Sequence, residues 1–181
     1  LASGPVGVMA ATNEAVSAAQ DPMMLYVFGA VIALCLISFR SIRATLVVVI
    51  PLYVVSVLAQ ALMTYLQIGL TVSTLPVIAL GVGIGVDYGI YILSTKSLML
   101  KKGATVQEAY FAALKERGSA VLFTGITLAI GVSTWVFSSL KFQMDMGILL
   151  TFMFVVNMLG AIIVLPALAR FLWWNKNDPG A

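Results

Sequence analysis

Apolar residues fall into five long blocks along the chain, and the polar residues collect between them. The blocks run from about Met23 to Phe39, Ala44 to Leu66, Thr71 to Leu93, Ser119 to Leu140 and Met144 to Trp174. A helix that crosses a bilayer needs about 20 mostly apolar residues. Lipid offers no hydrogen-bond partner to a bare backbone, so each block predicts a helix. The pattern therefore predicts an all-α integral membrane protein, with five spans filling residues 22–174.

The connections predict an orientation. Arg40 and Arg43 follow the first span, and Lys96, Lys101, Lys102, Lys115 and Arg117 lie between the third and fourth. Arg170 and Lys176 sit at the end of the fifth, whereas Lys141 stands alone on the opposite side. Basic residues favour the cytoplasmic side, which predicts the N-terminus outside and the C-terminus inside. Trp173 and Trp174 fit an interfacial belt at the inner face. Within the long basic connection, Thr105-Val-Gln-Glu108 reads as a capping box. Val106, Ala109, Tyr110, Ala113 and Leu114 then recur at helical spacing, so 105–117 is expected to be a short amphipathic helix, lying either on the inner membrane surface or as a solvated linker.

Composition agrees with a lipid environment. Of the 181 residues 61% are hydrophobic and only 9% charged, with a mean hydropathy of +1.07. A soluble domain carries about a quarter charged residues. There is no His, which removes His-based metal and triad chemistry, and no metal site is expected. The lone Cys35 cannot form an internal disulfide. Residues 1–21 are small and polar, unlike a signal peptide, and the chain does not begin with Met. The expectation is a fragment or processed piece, with Asn175–Ala181 as a polar C-terminal tail.

One acid lies deep inside a span. An ionised carboxylate at mid-membrane is costly, so such acids face a cavity and mark proton or ion paths. Asp87, in the third span, is therefore the centre of the candidate site, against the plainer alternative of a structural acid bonded to a neighbouring helix. Gly81, Gly85 and Gly89 share one helix face and allow close helix packing. Gly83 lies four residues before Asp87 and leaves space beside it, and Tyr88 adds a hydroxyl able to donate to a facing carboxylate. On the fourth span Thr124, Thr127, Gly131, Thr134 and Ser138 form a weakly polar stripe. That stripe is either a relay facing Asp87 or interhelical glue, and Ser56, Gln60 and Thr64 repeat the pattern on the second span. Asn157 is expected to make a packing hydrogen bond, and Asp145 to sit as an acid at a helix N-terminus.

The stretch Gly81-Val-Gly-Ile-Gly-Val-Asp87-Tyr88-Gly-Ile-Tyr91 resembles the signature helix of the resistance-nodulation-division superfamily, most closely its mycobacterial-membrane-protein-large (MMPL) branch. Gly103-Ala-Thr-Val-Gln-Glu108-Ala, Gly118-Ser-Ala-Val-Leu-Phe-Thr124-Gly-Ile-Thr127 with Gly131, and Leu165-Pro166-Ala167-Leu168 fit the same pattern. The resemblance covers about residues 22–174. It implies the last five helices of one transmembrane repeat, without its first helix and porter domain, and residues 1–21 as the porter domain's tail. It also implies a proton-driven exporter of hydrophobic or lipid-like molecules in the bacterial inner membrane. Asp87 would carry the proton and Tyr88 would be its hydrogen-bonding companion, opposite a matching Asp-Tyr pair on the other repeat. Drug-efflux members pair their acids with a membrane lysine; no membrane lysine is expected in this chain, which disfavours that variant. The expected partners are the lipid bilayer, the other repeat, the porter domain, periplasmic accessory proteins and further copies in an oligomer. No nucleic acid and no cofactor are expected, with protons as the coupling ion.

Two rivals remain at this level. Gly83-Ile-Gly85-Val-Asp87 with Pro166-Ala167-Leu168 loosely resembles intramembrane aspartyl proteases. An aspartyl dyad needs two carboxylates, and only one mid-membrane acid is present, so an enzyme is not expected. Sterol-sensing-domain proteins share a similar Gly-x-Asp-Tyr stretch, which leaves a lipid sensor or an assembly subunit as the alternative.

Overall fold

The computed structural model describes residues 4–69 and 74–173. Among them there is no strand, and five helices are long and apolar enough to cross a membrane. The expected start of the third span at Thr71, together with Trp174 and the 175–181 tail, lies outside the described residues.

Helix α1 runs unbroken from Pro5 to Phe39, 35 residues. Pro5 stands in its first turn, where a missing N–H costs nothing. The boundary expected between residues 1–21 and the first span is no break, because the helix runs through it and carries Pro22 in its interior. Arg40, with φ 49°, ends α1 in a left-handed cap, and its N–H bonds the Leu36 carbonyl. The chain then turns directly into α2, Ile42–Tyr65.

Helix α3 spans Leu75–Lys101, so it continues well past the expected Leu93 end. Gly103, with φ 87°, makes the reversal after it, a backbone shape that favours glycine. The capping box opens α4, Val106–Ala113, as the pattern predicts. The Glu108 N–H donates to Thr105 Oγ1 at 3.3 Å, and the Thr105 N–H donates to Glu108 Oε2 at 3.0 Å. However, α4 is not a separate surface helix. It passes through a wide π turn, Leu114–Gly118, straight into α5, Ser119–Ser133, which ends in a 3-10 turn at Thr134–Phe137. Its apolar residues Ala109 and Ala113 are fully buried where the helix packs on α3, while Tyr110 and Leu114 are half-buried. Helix α6, Lys141–Leu159, continues through a second π turn, Gly160–Val164, into α7, Leu165–Trp173.

The bundle is built around α3, which packs against α1, α2, α4 and α6, whereas α5 rests mainly on α6. The glycine face makes this possible. A Cβ at Gly85 would stand 2.5 Å from Leu52 Cδ2 and 2.7 Å from Asn157 Cγ. One at Gly89 would stand 2.9 Å from Val48 Cγ1, and one at Gly81 would collide with Met153. These three glycines thus pack as expected, letting α2 and α6 reach the backbone of α3.

Overpacking a tight core costs about 1–3 kcal/mol, and replacing a helical glycine by alanine gains about 1 kcal/mol of propensity. Gly89→Ala is therefore expected to lower the melting temperature, because Val48 is branched at Cβ and cannot swing away. Gly131→Ala, which meets nothing within 4 Å, is expected to hold or raise it. Thermal unfolding in detergent checks both.

Candidate functional site on the outer face of the third helix

Asp87 lies 12 residues from the start of α3 and 14 from its end, roughly 18 and 21 Å along the axis. It is mid-helix, and its face is not covered by this bundle. Pro76, Leu80, Gly83, Asp87, Tyr91, Ser94 and Leu98 are all exposed and repeat every three or four residues, so they form one stripe along α3. Gly83 meets nothing within 4 Å, which leaves open space beside the carboxylate. Ser94 donates its hydroxyl to the Tyr91 carbonyl within the helix, at 3.1 Å.

Tyr88 takes the other direction. One residue of helix is about 100° of rotation, and this carries Tyr88 into the core, 1% exposed. Its hydroxyl has no hydrogen-bond partner among the described residues. Asp87 and Tyr88 therefore diverge within this chain, one facing outward and the other inward.

The threonine stripe does not meet Asp87 either. Thr124, Thr127, Gly131 and Thr134 are exposed on α5, away from its seam with α6, where Gly125 is buried against Met158. Thr134 donates its hydroxyl back to the Gly131 carbonyl at 2.7 Å. On α2, Ser56 and Thr64 likewise donate to Leu52 and Gln60 carbonyls of their own helix. Such local bonds satisfy the hydroxyl and make no relay between helices. Asp145, in the second turn of α6, pairs with Lys141 at 3.5 Å.

Asn157 makes the packing bond expected of it, and the partner is informative. Its Nδ2 donates to the Gly81 carbonyl of α3 at 2.8 Å, in a buried site. The α3–α4 end holds a feature that sequence reading missed. Lys96, assigned to a connection, sits in α3, 1% exposed, with Nζ 5.3 Å from the centre of the Tyr110 ring. Beside it, Arg117 Nε donates to Thr95 Oγ1 at 3.3 Å. Lys96 follows Tyr88 and Ile92 at four-residue spacing, and that spacing was the available signal for an inward-facing lysine. Lys96 lies nine residues beyond Asp87, roughly 14 Å along the helix, too far to pair with it.

The family follows from the whole length of the chain. The MMPL family model matches residues 2–175, and the chain belongs to the MMPL family, the branch that the Asp87 stretch resembles. A membrane protein of Methanocaldococcus jannaschii is 25% identical over 76% of this chain and 36% of its own length. The membrane protein ActII-3 of Streptomyces coelicolor is 25% identical over 95% of the chain and 26% of its own length. The probable transport protein MmpL12 of Mycobacterium tuberculosis is 24% identical over 92% of the chain and 15% of its own length. The chain thus spans about a third or less of the curated relatives it matches. With five helices of spanning length, it is a multi-pass membrane protein.

A cation over an aromatic ring contributes about 0.5–2 kcal/mol, and most when desolvated. A double-mutant cycle with Lys96→Met and Tyr110→Leu is expected to give a coupling energy in that range by thermal or denaturant unfolding. A coupling near zero would remove the ring contact as the tie between α3 and α4.

Proposed function

We propose that this chain is the transmembrane part of a proton-motive-force-driven MMPL-type exporter of hydrophobic or lipid-like molecules in the bacterial inner membrane. In this reading Asp87 carries the proton. The observation that supports it is the position of that carboxylate, mid-helix and exposed on the lateral face of its own bundle. An ionised acid facing lipid costs about 3 kcal/mol on insertion scales. That is about two decades in a two-state equilibrium. A second transmembrane repeat covering the α3 stripe removes that cost, and a matching acid and tyrosine there complete the relay. Tyr88, turned into the core, then serves the packing behind Asp87, and the hydroxyl partner of Asp87 comes from the other repeat.

The cycle follows from charge. Protonated, Asp87 sits at low cost against an apolar neighbour. Ionised, it needs water or a donor beside it. The two forms favour different packings of α3 against the facing repeat. Rocking between them moves an extracytoplasmic porter domain, joined through α1, between its access states. With α1 entering from outside and α7 ending inside, the basic residues between α3 and α5 face the cytoplasm.

Asp87→Asn mimics the protonated acid permanently. In the full-length exporter it is expected to reduce proton-driven export to background while the protein still reaches the membrane. Export is read in energised vesicles, with membrane content checked by immunoblot. Undiminished export sinks the relay. Wild-type protein that binds lipid yet moves none under a proton gradient favours the sensor reading.

A further inference from the structure

If Asp87 is the proton carrier, it must point in one direction, and nothing on its own side of α3 sets that direction. A Cβ added at Gly83 beside it would meet nothing within 4 Å. The direction has to be set from the opposite face, where α3 presents Gly81, Gly85 and Gly89. A ridge of glycines allows close approach but carries no side chain to resist rotation or sliding. Met153 lies over Gly81, Leu52 and Asn157 over Gly85, and Val48 and Leu165 over Gly89. Of these five side chains four are apolar, and apolar contacts fix no bond angle.

There is also slack at this seam. A small cavity lies between α2, α3 and α6, lined by Pro51, Leu52, Gly85, Gly89, Asn157 and Gly160. Gly160 opens the wide turn Gly160–Val164, and Pro51 leaves the Val47 carbonyl of α2 without its helical donor. Three departures from regular helix packing therefore meet where α3 presents no side chains of its own. Asn157 sits at that point, 5% exposed, and its amide reaches the Gly81 carbonyl at 2.8 Å. A hydrogen bond has a narrow range of angle and length, so this contact distinguishes registers that the apolar contacts do not.

We propose that Asn157 is a positioning residue, whose hydrogen bond to the Gly81 carbonyl sets the rotation and axial register of α3 and thereby the direction of Asp87. The inference rests on reading Asp87 as the proton carrier, but its test does not use transport. Arg40, Arg43, Glu108, Lys115, Glu116, Arg117, Lys141 and Asp145 lie at or near the ends of the elements around α3. Glu14 and Asp21 lie in the first half of α1, Arg170 lies in α7, and Lys96 and Lys101 lie toward the end of α3 itself. None falls between Val48 and Met63 of α2, or between Met153 and Leu165 of α6 and α7. A change at Asp87 caused by Asn157 therefore reports geometry, not a lost charge.

The probe is dicyclohexylcarbodiimide, which modifies protonated carboxyls in membranes. Its reaction with Asp87 in the full-length protein is followed by mass spectrometry as a function of pH. Asn157→Leu keeps the size and removes the donor. It is expected to move the labelling midpoint of Asp87 by about one pH unit or more. A lowered melting temperature with an unmoved midpoint would overturn the proposal and leave Asn157 a packing residue only. If the leucine variant does not accumulate, Asn157→Ser, too short to reach the Gly81 carbonyl, is read in the same way. Because the carboxyl itself is read, the result is separate from whether Asp87→Asn stops export.

Discussion

The structure depends on how closely other helices approach the backbone of α3. In lipid there is no hydrophobic gain from bringing helices together, so packing and interhelical hydrogen bonds must hold the bundle. Gly81, Gly85 and Gly89 supply the first, by removing the side chains that would keep α2 and α6 away. Asn157 supplies the second, through the Gly81 carbonyl exposed by the same missing side chains. With one face of α3 buried so tightly, the opposite face, bearing Asp87, is left for something outside this bundle.

That division of α3 gives the motif its logic. Adjacent residues on a helix point about 100° apart. An acid and a tyrosine in sequence therefore cannot share a direction, and here one faces out while the other is buried. The glycines obey the same geometry: the set at 81, 85 and 89 builds the tight seam, and Gly83 clears space on the acid's side. One short glycine-rich stretch can both pack tightly and leave an acid uncovered because the two use different faces of it.

The α3–α4 end is held by different means. Two small residues, Ala109 and Ala113, bring α4 against α3, and Lys96 lies under the Tyr110 ring. The π turn at Leu114–Gly118 carries Arg117, which reaches Thr95 while the chain runs on into α5. A movement of α3 would consequently be felt by α4 and α5 through this end, and by α6 through Asn157.

Much of this was legible in the residues alone. Five apolar blocks, themselves nearly free of charge and each about long enough for a helical span, point to helices, which satisfy their backbone within one segment. The glycine period, the Thr105–Glu108 capping box and the mid-helix position of Asp87 are local patterns, readable wherever spacing decides the outcome. Directions and continuity were not. Whether Thr124 and Thr127 meet Asp87 depends on which helices neighbour each other, and α5 rests on α6 with its threonines outward. That Asp21-Pro22 lies inside one helix, that α4 runs on into α5, and that Lys96 is buried under Tyr110 were likewise decided by tertiary contacts. A polar residue near the end of an apolar run carries no mark of whether it meets water or a neighbouring helix. The chain specifies which faces are apolar, small or charged, and only packing decides what each face meets.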